Sequence, residues 1–448
     1  MSSPEIRSLG PADDLEAELD LRRRAFGPVA ADERATWLAG LRRSVEAGEM
    51  FGAFDGPRLV ASARYFTMRQ WWHGRAMPMA GVAGVKVAPE ERGRGVGRAL
   101  MTALLREIAA RGFPVSALYP ATAPLYRSLG WEIAGGKYET VLPARSLAAL
   151  VRPDCPAPAP DSGAGLRRAT PADAEAVVDV LAAVYQSRRD CGPATYEPGL
   201  VATWLDDEDR FAYLAGDGFL TYRWADEASV VQVDLLAAAS AATARAFWQI
   251  LASHATIAGT VRACLSPADP VSWLTREPVA VTRHDDPWML RVADVPAAVA
   301  ARGFPAAASL TAQLELTDDV LAGNSGQWSL EIRGGAGKMA PSGPGSSSGF
   351  GSSSSSSSGF GFGSGSGFGS GSGLGSSSGP SPAAAGPGGG PNAGGGLRLG
   401  PRGFAALFAG VPLATLRQAG LAGGGDPATD DALDSAFGGG PAFMLHGF

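Results

Sequence analysis

The sequence predicts a mixed α/β (α+β) protein: two tandem copies of one α/β unit, then a smaller α/β domain. Three observations predict it. A β-branched run ending Val85-Lys86-Val87 turns through Arg92-Gly93-Arg94-Gly95-Val96-Gly97-Arg98 into an amphipathic helix with Leu100, Met101, Leu104 and Leu105, a strand-to-helix crossover. The phrase Ile6-Arg7-Ser8-Leu9-Gly10-Pro11-Ala12-Asp13 recurs as Leu166-Arg167-Arg168-Ala169-Thr170-Pro171-Ala172-Asp173, again in front of a helix. From about Trp288 the pattern changes to short alternating strands, interrupted by a Gly/Ser-dominated block at about 334–396. The expected domains are 1–150, 165–287 and 288–448, the last carrying that block as a disordered insertion.

Each element has a local reason. Glu5-Ile6-Arg7 reads as a short strand, and Pro11 to Asp14 open a helix with Leu15, Leu19, Leu21 and Phe26, acidic in its first turn. A second helix is expected at about 32–47, where Trp37, Leu38, Leu41 and Val45 fall at helical spacing. Met50–Phe54, Asp55-Gly56-Pro57 and Leu59–Met68 read as strand, turn, strand; a longer strand follows at about Met77–Val87. Val115–Leu118 is a short buried strand, and Pro120 to Pro124 start another helix. In the second unit Val231–Leu236 runs into a helix at Ala242–Leu251, but Ala237-Ala238-Ala239-Ser240-Ala241 stands where glycines should be. Such side chains would crowd a phosphate, so the copy reads as degenerate and structural. Beyond it, Met289–Val292, Leu310–Leu316 and Trp328–Arg333 are expected strands; Val295–Arg302, Gly403–Ala409 and Leu413–Leu421 are expected helices.

Composition narrows the function. A chain of 448 residues with 45% hydrophobic content supports two or three cores. A net charge of −6 and no basic block of five or more argue against nucleic acid. The cysteines at 155, 191 and 264 form neither a disulfide framework nor a zinc pattern, and the four histidines lack metal-ligand spacing. No metal is expected, and a reducing cytoplasm is the expected location. The opening Met1–Glu5 is polar and acidic, unlike a signal peptide, and no uncharged apolar run reaches membrane-spanning length.

The segment 85–98 carries the chemistry. Glycines let the backbone approach a ligand, and the free N–H groups of a new helix can hold phosphate oxygens. The alternation of Gly93, Gly95 and Gly97 fits neither the dinucleotide fingerprint Gly-x-Gly-x-x-Gly nor a P-loop, which needs Gly-Lys-Ser/Thr. Instead Arg-x-x-Gly-x-Gly after a Val-x-Val strand resembles the coenzyme A pyrophosphate loop of the GNAT (GCN5-related) N-acetyltransferases. About thirty residues on, Leu125-Tyr126-Arg127-Ser128-Leu129-Gly130-Trp131 is similar to that family's Tyr before a Leu-Gly-aromatic turn. Two such units and a third domain ending in phenylalanine resemble the Eis (enhanced intracellular survival) acetyltransferases of actinobacteria, whose last domain resembles a sterol carrier protein.

The resemblance implies direct transfer of acetyl from acetyl-CoA to a primary amine, on aminoglycoside-like polyamines, lysine side chains or both. Backbone near Val85, Lys86 and Val87 would polarise the thioester. Gly93, Arg94, Gly95, Val96, Gly97 and Arg98 would hold the pyrophosphate, with Ala121 and Thr122 along the pantetheine arm. Tyr126 would be the proton donor, and the terminal carboxylate of Phe448 the proton acceptor. His446 competes for the second role, since alternation along an extended tail places it on the side of Phe448. Phe26, Trp37 and the pair Trp71-Trp72 are candidate walls of the amine pocket, with core packing as the alternative for each. A homohexamer, a trimer of dimers, is also implied. The competing function is a lipid or small-molecule carrier working through the third domain.

Overall fold

The computed structural model describes residues 4–30, 33–147, 165–275, 282–342 and 396–448. The first unit runs β1 (Glu5–Ser8), α1 (Leu15–Phe26), α2 (Arg34–Glu46), β2 (Met50–Asp55), β3 (Arg58–Trp72), β4 (Arg75–Val87), α3 (Val96–Ala110), β5 (Val115–Leu118), α4 (Ala123–Arg127), β6 (Glu132–Pro143) and α5 (Ala144–Leu147). Asp14 caps α1 by accepting from Glu16 N at 2.8 Å. Asp13 instead takes both guanidinium nitrogens of Arg7 at 2.7 Å and the Gly10 N–H at 2.8 Å, stapling β1 to the helix start.

The second unit repeats that staple. Asp173 takes Arg167 at 2.9 and 2.6 Å and the Thr170 N–H at 2.8 Å, so the sequence echo is a three-dimensional one. Its elements are β7 (Arg167–Arg168), α6 (Ala174–Arg188), β8 (Cys191–Tyr196), α7 (Pro198–Leu205), β9 (Arg210–Ala215), β10 (Gly218–Ala225), β11 (Val230–Ala238), α8 (Ala241–Ser253), β12 (Thr260–Cys264), α9 (Val271–Leu274) and β13 (Thr282–Val292). The third comprises α10 (Val295–Ala301), β14 (Ser309–Leu316), β15 (Gly326–Arg333), β16 (Ala336–Pro341), β17 (Leu397–Leu399), α11 (Pro401–Phe408), α12 (Leu413–Gln418), β18 (Ala422–Gly423), α13 (Pro427–Phe437) and β19 (Phe443–Met444).

The first two units share one sheet of 14 strands, ordered β1-β2-β3-β4-β5-β13-β6-β12-β11-β10-β9-β7, with β8 on β3 and β19 on β6. The last strand of each unit is exchanged: β13 lies between β5 and β6, and β6 continues onto β12. This corrects the expectation that Met289–Val292 opens the third domain. Met289 pairs with Leu118 and Val292 with Val115, inside the shared sheet. The third domain has its own sheet, β16-β15-β14-β17-β18. One side of that sheet is filled by its own Leu314, Leu330, Ile332, Phe404 and Phe408, all buried.

Two further corrections concern this domain. The Gly/Ser block does not start at 334, because Gly334-Gly335 form the turn into β16, which pairs with β15 along its length; the segment 343–395 lies outside the described residues. The helix at Pro427–Phe437, which sequence reading missed, is capped by Asp426 accepting from Ala428 and Thr429 N–H. The domain is tied to the shared sheet by buried Arg291, which pairs with Asp318 at 2.5 Å and donates to Leu129 O at 3.0 Å.

Candidate active site

Strands β4 and β5 run parallel and pair from Met79–Val115 to Val82–Leu118, where β5 stops. Strand β4 continues to Val87, still held by β3 on its other edge. Between the pairs Ala83–Arg64 and Lys86–Ser62, two residues of β4, Gly84 and Val85, oppose one of β3. This is a bulge, with Gly84 at φ +59°. A strand that parts from its neighbour and bulges at the parting point presents backbone N–H and C=O to a wedge-shaped cleft. The side chain of Lys86 turns away from it: buried, it ion-pairs with Glu18 of α1 and donates to Gly84 O at 3.1 Å. Burial lowers the Lys86 pKa, opposed by Glu18. Lys86 therefore offers the cleft its backbone alone.

After a 3₁₀ turn at Pro89–Glu91 the chain enters α3 through Gly95, at φ +80° in the left-handed region that β-branched residues avoid. No side chain caps the first turn of α3. The contrast with α8 is direct, for Ser240 Oγ there accepts from Thr243 N at 3.2 Å. The first-turn N–H groups of α3 thus remain available to an anion; those of α8 are partly used. Gly97 sits close to β4: a Cβ there would come 3.2 Å from Val87 Cγ2, a tight contact. Val96 faces the core. Arg94 pairs with buried Glu91, which Arg58 also holds, and Arg98 reaches Ser128. Arg92 is exposed, without an ion-pair partner among the described residues. It is the first residue of the Arg-x-x-Gly-x-Gly phrase, so the signal for it was in the sequence, yet the pyrophosphate assignment began one residue later.

Ala121 and Thr122 are exposed at the start of α4. Tyr126 follows on that helix, 5% exposed and edge-on to fully buried Trp131 at 6.3 Å. Burial pushes its phenol up to about 12. The Leu129-Gly130-Trp131 turn closes behind it, with the Leu129 and Trp131 N–H groups both donating to Tyr126 O, at 3.0 and 3.1 Å.

The tail crosses the molecule to reach this region. Strand β19 lies parallel to β6, pairing Phe443 with Gly136 and Met444 with Lys137. It fits because glycines line its path: a Cβ on Gly135 would lie 2.2 Å from Ala442 O, and one on Gly192 2.6 Å from Phe443 O. Two phenols then clamp the end: Tyr119 OH donates to His446 O at 3.0 Å, and Tyr196 OH to Gly447 O at 2.8 Å. Burial raises both phenol pKa values, keeping them donors. The Phe448 ring rests on Tyr119, centroids 5.4 Å apart, and 3.0 Å from the position a Cβ on Gly81 would take. Gly81 is one residue before the last β4–β5 pair. Tyr119, Tyr196 and the glycines at 135, 136 and 192 were not anticipated; the Gly135-Gly136 doublet inside a strand pattern was a usable sign of close backbone approach.

The other aromatic candidates separate. Trp37 is half-buried, with the Lys86 ammonium and the Arg22 guanidinium each 6.0 Å from its ring. Phe26, at the end of α1, is 52% exposed. Trp71 and Trp72 are core residues rather than pocket walls. Trp71 packs on Tyr185 of the second unit, and Trp72 on Trp288 and Phe408. His446 does not share a side with Phe448, because the tail bends at 445–446. Its ring lies tilted against Tyr196 at 4.7 Å and meets Trp204 at 5.8 Å, and burial brings its pKa down to about 4.

Residues 5–134 and 183–292 each match an acetyltransferase (GNAT) domain, and residues 295–354 a sterol carrier protein domain. A crystal structure of a GCN5-related N-acetyltransferase from Kribbella flavida is 38% identical, with TM-score 0.82, covering 100% of this chain and 99% of that one. An uncharacterized N-acetyltransferase of Streptomyces griseus is 30% identical over 71% of this chain and 80% of its own length. The N-acetyltransferase Eis of Mycobacterium tuberculosis is 28% identical over 65% of this chain and 73% of its own. Eis1 from Mycobacterium abscessus shares the fold, with TM-score 0.70 at 22% identity over 99% of this chain and 100% of that one. With two GNAT units, a sterol-carrier-like third domain and these relatives, the chain belongs to the Eis-like GNAT N-acetyltransferases.

Proposed function

We propose that the chain transfers the acetyl group of acetyl-CoA to a primary amine by direct attack in a ternary complex. The convergence at the β4–β5 cleft carries this reading: a bulged strand edge, an uncapped helix start and a clamped tail ending in Phe448 serve one wedge. The pyrophosphate would lie on the N–H groups at Gly93–Gly97 with Arg92 as an added cation, and the pantetheine arm past Ala121 and Thr122. The amine nitrogen would attack the thioester carbon as the C–S bond breaks. The nitrogen's proton would pass to the Phe448 carboxylate, directly or through water. Tyr126, neutral at physiological pH, would donate its hydrogen bond into the developing thiolate. A phenol near 12 facing a thiol near about 8.5 stabilises that charge before it gives up its proton.

Acceptors of the aminoglycoside-like polyamine or lysine side-chain class fit a carboxylate-ended tail, which attracts cations. The carrier alternative draws no support from the third domain, whose sheet face is occupied by its own side chains. We also place the protein in the cytoplasm, the expected source of acetyl-CoA; no helix among the described residues is long and apolar enough to cross a membrane. We further propose a homohexamer, which light scattering tests; Trp273 and Ile257, 77% and 68% accessible, are large apolar side chains left exposed in the single chain. The functional test is a screen of amines with acetyl-CoA, reading free thiol, on the chain as it stands and on one extended past Phe448. Extension should cut turnover by ~10²-fold with acetyl-CoA affinity retained. Equal rates would remove the terminal carboxylate from the mechanism.

A further inference from the structure

A cavity of about 460 Å³ lies mainly in the second unit; Tyr126 is not among the residues lining it. Helices α6 and α7 cover it with Val177, Leu181, Val201 and Trp204. The sheet supplies Thr221, Arg223 and Asp234, Arg210 joins them from β9, and the tail closes one wall with Leu445–Gly447. Its position is the counterpart of the space between α1 and β4 in the first unit. The repeat runs at an offset of 160 residues, so Arg7 and Asp13 answer to Arg167 and Asp173. At that offset Glu18 answers to Val178, which lines the cavity. Where the first unit fills the space with the Glu18–Lys86 ion pair, the second leaves it open.

We propose that this cavity is a second small-molecule site, for an amphipathic organic anion with an aromatic or branched aliphatic body and a carboxylate or sulfonate head. The body follows from the aliphatic roof and the half-buried indole of Trp204. The head follows from the polar end. Of the residues lining that end, Arg210 at 2.6 Å and Arg223 at 3.4 Å share the single carboxylate of Asp234; Asp207, which does not line the cavity, faces Arg210 Nε from 3.8 Å. Beside them the Thr221 hydroxyl, on a residue 3% exposed, and Arg210 Nε are buried without a hydrogen-bond partner. An orphaned buried donor costs about 1–3 kcal/mol, and an anionic acceptor satisfies both donors at once. At the far end Lys137 and Glu139 offset each other in charge, and Glu139 takes the Gln232 amide at 3.5 Å. The His446 ring nitrogens, also buried and unpartnered, give the tail wall one further donor and acceptor. The Ser240-capped α8 and the alanines before it, none of which line the cavity, offer no pyrophosphate seat for coenzyme A in this unit.

The test is titration of the full chain with 8-anilinonaphthalene-1-sulfonate, with and without saturating acetyl-CoA to separate this site from the first-unit cleft. One dye per chain should bind in both conditions. Val178→Trp, which fills the cavity, should weaken it at least tenfold in a chain whose melting temperature and acetyl-CoA affinity are unchanged. The isosteric Thr221→Val keeps the fold and should weaken it several-fold. N-phenyl-1-naphthylamine, the same body without the sulfonate, should bind at least tenfold more weakly. Absence of acetyl-CoA-resistant binding, indifference to both substitutions, or equal affinity for the neutral dye would each overturn the assignment.

Discussion

Substituting alanine for Gly192 should disable acetyl transfer without touching the proposed acetyl-CoA cleft. Gly192 sits in β8 at φ +100°, where an L residue is strained by about 1–2 kcal/mol. Its new Cβ would stand 2.6 Å from Phe443 O and 2.7 Å from Phe443 N. Ordinary contact is about 3.5 Å, so the tail backbone must move by roughly 1 Å. Phe443, Met444 and Leu445, at 4%, 1% and 3% exposure, each hold the tail by about 1.5–3 kcal/mol of burial, so it is displaced rather than released. A misplacement of about 1 Å remote from the chemistry can cost ~10²-fold, and that is the fall expected in kcat/KM. The assay is thiol release at saturating acetyl-CoA, with calorimetric acetyl-CoA affinity and a melting curve in parallel. Affinity should stay within about twofold, because Gly192 contacts none of the cleft residues. Gly199→Ala, whose Cβ meets nothing within 4 Å, is the matched control. Wild-type turnover in folded Gly192→Ala would refute the tail's place in the reaction.

Gly95→Val should keep the fold, since its Cβ enters open space, yet lose at least tenfold in acetyl-CoA affinity, about 1.4 kcal/mol, because a β-branched residue resists φ +80°; unchanged calorimetric affinity would refute the loop's role. Tyr126→Phe should lower kcat by ~10²-fold with acetyl-CoA affinity intact. Burial raises this phenol to about 12, so it stays protonated across the neutral and moderately alkaline range. An alkaline fall in kcat near about pH 9 that disappears in Tyr126→Phe would contradict that. Asp318→Leu leaves buried Arg291 without its counter-charge and should cost about 3–5 kcal/mol in urea unfolding. A loss under about 1 kcal/mol would show that the pair does not anchor the third domain.

Much of the backbone shape of the candidate cleft was legible because its signals are local. The strand ending at Val87, the turn with Gly93 and Gly95, and the helix start at Val96 follow within a dozen residues. Gly84 was the exception: an isolated glycine in a strand pattern marks a bulge, and this one shapes the cleft. Arg94 and Arg98 read as anion-binding cations, but their partners Glu91 and Ser128 come from packing that composition does not reveal.

By itself the sequence determined the α/β units, their repetition and the glycine-opened helix, because propensity, capping and turn chemistry act over a few residues. The Arg7–Asp13 and Arg167–Asp173 staples are the clearest case, each spanning six residues. The tertiary structure alone decided that β13 enters the first unit's sheet, that the tail threads between β6 and Gly192, and that His446 and Phe448 diverge. Backbone hydrogen bonding is the same for every strand, so an apolar segment such as Met289–Val292 carries no mark of its partner. That choice is made where the shapes of distant surfaces meet, and the bend at 445–446 follows from the two phenols that receive it.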